Sequence, residues 1–189
     1  MPKQQDSAHF WPLLLRVWFS IQLLVLTFDA SFVLLRPHTF VDGALGAFYP
    51  VFQQYAKIDT VYSDITNPFG WAMSTLVVLE NVFLFYSFII VYLGSDIKKN
   101  IKTTTQFMQK SDYLTLCGIC AQFNKTLFYL ITDAYGGFKH ISHNTQFDMI
   151  TMFIIPNGIW VVVPIIIIFK YYVPKIRNTI VALDKVKTE

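Results

Sequence analysis

The residues able to do chemistry in this sequence are ionisable and amide side chains set inside long apolar runs. Asp29, Glu80 and Lys125 are the ionisable ones, and Gln22, Gln122, Asn124 and Asn157 accompany them. An ionised group in hydrocarbon costs about 2.5–3.5 kcal/mol on insertion scales, so such groups turn to a shared interior and find partners there. Asp29 stands about 9 Å inside its run at the helical rise of about 1.5 Å per residue. Glu80 and Asn157 fall near the middle of theirs, and Lys125 lies nearer the end of its own. All four therefore meet in one half of a bundle. Gln22 and Asp29 share a helix face by spacing, as do Ser74 and Asn81, and Asn157 and Trp160. A carboxyl buried there has its pKa raised by desolvation and holds a proton at neutral pH. Such an acid can protonate an alkene or an epoxide, and the face of Trp160 can stabilise the resulting cation. A structural reading stands beside it, in which Lys125 neutralises Asp29 or Glu80 and the amides hydrogen-bond the helices together.

Other motifs carry less. Cys117 and Cys120 form a C-x-x-C inside an apolar run with no His or Cys nearby in sequence. Zinc needs further ligands, so they read as small packing residues. His140 and His143 fall in a loop and are expected to be solvated. Asn124-Lys125-Thr126 matches a glycosylation sequon but sits at membrane depth. The sequence has no glycine-rich phosphate loop, no Ser-His-Asp spacing and no internal repeat.

The elements that must position these residues follow from composition. The chain has 189 residues, 54% of them apolar, and a charged fraction of 14% against about 25% in soluble domains. Eighteen Phe, ten Tyr and four Trp are more apolar surface than a soluble fold of this size can hide. The net charge of +3 is confined largely to tails and loops, which excludes a nucleic-acid interface and indicates a bilayer. Four apolar runs, 13–35, 71–93, 113–132 and 149–169, each reach the length of about 20 residues that a membrane-crossing helix needs. The expected fold is all-α, an integral membrane four-helix bundle. The first run is too long for a signal peptide and lacks a small-residue cleavage site.

Orientation follows from lysine and arginine. Lys98, Lys99, Lys102 and Lys110 lie between the second and third runs, and Lys170, Lys175, Arg177, Lys185 and Lys187 follow the fourth. Only Arg36, Lys57 and Lys139 flank the other ends, so both termini are expected in the cytosol. The last five residues, KVKTE, are similar to a dilysine retrieval signal, which places the protein in the endoplasmic reticulum membrane as a multi-pass protein. The expected division is a cytosolic tail over 1–12, the transmembrane domain over 13–172 with a lumenal loop over 36–70, and a basic cytosolic tail over 173–189. A loop as long as 36–70 is functional or structured. It carries Asp42, Tyr55, Asp59, Tyr62 and Asp64, and is expected to cap the pocket.

Four stretches carry a family resemblance. They are DASFVL from Asp29, YAKIDTVY from Tyr55 to Tyr62, YLITD from Tyr129 running on to GFKH at His140, and NGIWVVVP from Asn157 to Pro164. In order and spacing, from about residue 10 to 172, the chain resembles the emopamil-binding protein superfamily. This is the EXPERA domain of sterol Δ8-Δ7 isomerase and the sigma-2 receptor. The resemblance implies a four-helix EXPERA-like bundle in which a carboxylate on the first helix works with a second on the next, moving a double bond through a carbocation. Asp29 matches the first acid, and Asn157 and Trp160 match a pocket pair on the last helix. Ser74 stands in the place of the second acid and Val25 in that of a helix-one histidine.

The reading is therefore an isomerase or terpene cyclase-type enzyme acting on a sterol-like or terpenoid, including meroterpenoid, substrate. Asp29 is the proton donor, and Glu80 or Ser74 assists. Asn157, Trp160, Gln22, Tyr62 and Asp59 form the substrate pocket. No metal, nucleotide or redox cofactor is implied. The partners are a hydrophobic small molecule and the lipid bilayer, with no nucleic acid and with homodimerisation left open. The alternative is a non-catalytic sterol- or lipid-binding receptor of the same fold.

Overall fold

The computed structural model describes residues 3–93, 108 and 110–188. The basic segment with Lys98, Lys99 and Lys102, on which the orientation argument partly rests, lies outside the described residues. Among the described residues there are helices and loops but no strand, and four helices are long and apolar enough to cross a membrane. These are α1 (Lys3–Leu34), α3 (Pro68–Leu93), α4 (Lys110–Tyr135) and α5, which spans 146–188. A short helix, α2 (Pro50–Ile58), lies in the first loop.

Helix α5 is longer than the expected 149–169. It continues through Pro156, Pro164 and Pro174 to Thr188, with π-helical stretches at Met149–Ile154 and Ile168–Tyr172, just before Pro156 and Pro174. Each proline removes a backbone donor, and the wider π turns before Pro156 and Pro174 let the chain re-pair around the gap. The Asn157 side chain helps by donating to the Phe153 carbonyl at 2.9 Å. The tail helix is fastened by Lys175, which is buried and donates to Asp112 Oδ2 at 2.7 Å and Tyr171 Oη at 3.0 Å. A lysine counted in the sequence among the charges of the basic tail is thus an internal tie between α5 and α4.

The helices neighbour one another in the order α1, α3, α4, α5. A cluster of Leu15, Trp18, Phe19, Leu84, Ile119, Ile167 and Tyr172 then closes α1 and α5 on the same core. Gly118 brings α4 close to α3, because a Cβ there would lie 2.8 Å from Leu84 Cδ2. A small residue permitting such approach is a recurring device in lipid, where apolar burial alone does not drive helices together. The polarity is inverted relative to a soluble bundle. Gln22 and Gln122 are fully buried, while Leu24, Val82, Phe128, Val162 and Phe169 are each more than half exposed on the outside. Lipid solvates that outer surface.

The first loop is pinned rather than slack. Buried Arg36 donates from Nη1 to the carbonyls of Val61 and Tyr62 at 2.9 Å and Asp64 at 3.1 Å, and from Nε to Val33 at 2.9 Å. Its guanidinium lies 5.3 Å from the centre of the Trp71 ring. Gln53 Nε2 donates to the carbonyls of Thr39 and Gly46, at 3.1 and 2.8 Å. The third loop clasps the first: Asn144 Nδ2 donates to Ile58 at 2.6 Å, and Thr60 N to His140 at 3.1 Å. His143 Nε2 donates to the Lys57 carbonyl at 2.8 Å, and Thr60 Oγ1 lies 3.0 Å from His140 Nδ1. Both histidines tie the two loops together, His143 while exposed as expected and His140 while half-buried. Helix α4 can deliver the chain into this clasp because Gly137 ends it at φ 70°, a conformation glycine adopts freely.

Candidate functional site

Beneath the first loop, α1, α2, α3, α4 and α5 enclose a cavity of about 380 Å³. The wall is mainly apolar and aromatic, which suits a ligand that itself comes from lipid. Each helix contributes through its own period. Helix α1 presents Val25, Leu26, Asp29 and Val33, and α3 presents Gly70, Met73, Ser74 and Val77. Helix α4 contributes Lys125, Thr126 and Tyr129, and α5 contributes Met152, Pro156, Asn157 and Trp160. From the first loop, Val51, Phe52, Tyr55, Val61 and Tyr62 close one end, the capping position expected of it.

Three tyrosines order the polar groups of this wall. Tyr62 donates its hydroxyl to Asp29 Oδ1 at 2.7 Å. Tyr55 accepts from Asn157 Nδ2 at 3.1 Å, and its ring meets the Tyr62 ring edge-on with centres 4.8 Å apart. Tyr129 donates to Asp59 Oδ2. Burial pushes the phenols of Tyr55 and Tyr62 upward, reinforced by the carboxyls of Asp59 and Asp29 respectively, so both stay protonated and able to donate. Trp160 stands on the wall with its back to Trp18, the rings 5.1 Å apart and tilted by 53°.

Of the residues singled out in the sequence, Asp29, Ser74, Tyr62, Asn157 and Trp160 are brought together on this wall. Glu80, Gln22 and Asp59 are not on it. Glu80 is buried behind Lys125, with Oε2 3.1 Å from the Lys125 ammonium and Oε1 accepting from Gln22 Nε2 at 3.0 Å. Lys125 thus neutralises Glu80, one of the two partners its position allowed. Asn81, on the face predicted to carry Ser74, instead donates to Thr27 Oγ1 at 3.4 Å across the α1–α3 contact. Asp59 is fully buried and reaches the cavity only through Tyr129. Its Oδ1 accepts from Val61 N at 3.1 Å. Burial pushes its carboxyl up to about 6; the hydrogen bonds from Tyr129 and Val61 oppose that, while Asp133 and Asp29 add to it.

Tyr129 is the polar wall residue that chemical reasoning from the sequence passed over, although Lys125 lies one helical turn before it on the same face. Tyr55 was named in the capping loop but given no role, because only the fold of the loop carries it to Asn157. Among the described residues no group of three or more His, Cys, Asp or Glu side chains is placed to hold a metal ion. Comparison of the chain with family models, curated proteins and solved structures gives no match.

Proposed function

We propose that the chain is a divergent relative of the emopamil-binding protein superfamily and an isomerase-type enzyme of the endoplasmic reticulum membrane, with both termini in the cytosol. Its substrate is a sterol-like or terpenoid molecule that enters from lipid. Asp29 protonates an alkene carbon or an epoxide oxygen, and the cation then rearranges, cyclises or loses a proton to give an isomer of the substrate. The observation that carries this reading is the carboxyl of Asp29 on an apolar, aromatic-lined cavity, held by a phenol rather than by a cation. A hydrogen bond from Tyr62 fixes the acid without occupying its second oxygen. Lys125 directs its charge to Glu80 and thereby leaves Asp29 to the cavity.

The other wall residues take supporting parts. Trp160 offers a ring face to the developing cation. Asn157 and Tyr55 form one hydrogen-bonded unit that positions the substrate's polar end, and Ser74 adds a hydroxyl. Glu80 and Gln22 act from behind the wall by fixing Lys125. The mainly apolar wall keeps water from trapping the cation.

The test is Asp29→Asn, which nearly preserves shape and removes the acid. Turnover of a Δ8-sterol or an epoxyprenylated phenol by membranes should disappear at equal protein level; full activity would contradict the assignment. One observation favours the receptor alternative. Among the described residues Asp29 is the one carboxyl on the wall, and a lone carboxyl also suits a bound amphiphilic amine. Binding of such ligands with no conversion of either substrate would support that reading instead.

A further inference from the structure

Deprotonation of a carbocation needs a base, and the wall offers few. Ser74 is a lone hydroxyl, and Glu80 lies behind the wall in its pair with Lys125. Besides Tyr62–Asp29 there is a second tyrosine–aspartate pair, with Tyr129 on the wall and Asp59 behind it. We propose that Tyr129, backed by Asp59, is the base that takes the substrate's proton, so that the two pairs serve as acid and base on one ligand. The proposal rests on the isomerase reading and adds the half of the reaction which that reading leaves without a residue.

The geometry suits the part. Tyr129 lines the cavity and donates to Asp59, which is fully buried and so cannot touch substrate itself. A phenol oxygen keeps lone pairs for a further proton while its own hydrogen is committed to the carboxylate. The ring is held in place by stacking on Phe69, with centres 5.6 Å apart at 21°, and by Phe153 at 6.4 Å. With its carboxyl pushed up to about 6, Asp59 is ionised at neutral pH yet takes a proton readily.

The steps balance. The Asp29 acid proton is captured by the alkene's π electrons, forming a C–H bond, a carbocation and the Asp29 carboxylate. The C–H next to the cation then gives its proton to the Tyr129 oxygen, and the C–H electrons become the new double bond. In the same event the original Tyr129 proton passes to Asp59. The enzyme ends with Asp29 ionised and Asp59 protonated. It resets when Asp29 gains one proton from water and Asp59 returns one. Tyr129 is thus the catalytic residue and Asp59 the positioning residue behind it.

Asp59→Asn separates this role from support, because the amide oxygen still accepts from Tyr129 but cannot take its proton. The full-length protein in membranes is assayed with the Δ8-sterol and the epoxyprenylated phenol, and with a tritiated stanol as the binding probe. Asp59→Asn should lower kcat by about 10²–10⁴-fold, the usual worth of a general base, with KM and stanol affinity unchanged. Tyr129→Phe should do the same, and it covers the case in which the first variant fails to fold. Wild-type kcat in a folded Asp59→Asn variant, or loss of stanol affinity in step with rate in either variant, overturns the proposal. If Asp29→Asn is dead while Asp59→Asn and Tyr129→Phe are active, only the base assignment falls. If the wild type converts neither substrate, the isomerase reading fails and this assignment falls with it.

Discussion

Asp29 and Lys125 show how neighbouring charges on one wall acquire different work. The Lys125 ammonium is 3.1 Å from Glu80, whereas Asp29 meets the hydroxyl of Tyr62. A paired charge in a low-dielectric interior is satisfied, and a carboxyl facing an apolar cavity with one phenol beside it is left available for proton transfer. Trp160 belongs to the same scale. Its ring can favour a cation only once that cation exists, by up to about 2 kcal/mol. Trp160→Ala should therefore lower kcat by roughly 30-fold, the rate equivalent of that energy, while leaving stanol binding much less affected. Affinity lost with the rate unchanged would make it a packing residue. Spacing made Asp29, Asn157 and Trp160 legible in the sequence because they sit on regular helices, where position along the run fixes both depth and face. It could not decide between Asp29 and Glu80 as the partner of Lys125, since that choice depends on how α1, α3 and α4 are rotated against one another.

Helices and loops differ in how far local sequence determines them. The four long helices follow from apolar length, and their limits shift where a tertiary contact extends them. The tail beyond 169 is polar enough to end a membrane run, yet Lys175 with Asp112 keeps it helical and docked. The first loop was recognisable as structured from its length and aromatics, but its fastening by Arg36 was hidden, because that residue also reads as an ordinary flank charge. Removing it should be costly. Arg36→Ala strands the carbonyls of Val61 and Tyr62, leaves Val33 only its backbone donor, and is expected to destabilise the protein by about 3–5 kcal/mol. Thermal unfolding in detergent measures this, with Arg36→Lys giving only partial rescue because lysine lacks the planar fork; an unchanged midpoint would contradict the pinning role. Asp59 gives the same loop a pH signature. Its carboxyl stands at about 6 in the folded protein, against about 3.9 in an unfolded chain. The folded state therefore binds the proton more tightly, and this contribution is full below about pH 4 and lost by about pH 6. The stability of the wild type relative to Asp59→Asn should fall across that window by about 3 kcal/mol and stay level above it; a flat difference would show that Asp59 does not titrate there.

For the molecule as a whole, four apolar helices with buried glutamines and exposed phenylalanines describe a body solvated by lipid. The orientation rests on lysine and arginine asymmetry, so a C-terminal tag in sealed microsomes should be open to added protease; a shielded tag would reverse the topology and place the capped end of the cavity in the cytosol. That a cavity forms at all was legible, because polar residues at matching depths on four helices must converge. Its roof was not, because α2 and the loop clasp depend on contacts between segments some eighty residues apart, such as Thr60 with His140. The central claim, that Asp29 protonates a substrate inside this cavity, is tested most directly by turnover of a Δ8-sterol in heavy water, wild type against Asp29→Asn. If the alkene is the group protonated, the wild type gives an isomeric product carrying deuterium at one defined carbon, and the variant gives neither product nor label. Equal labelled product from both proteins would contradict it.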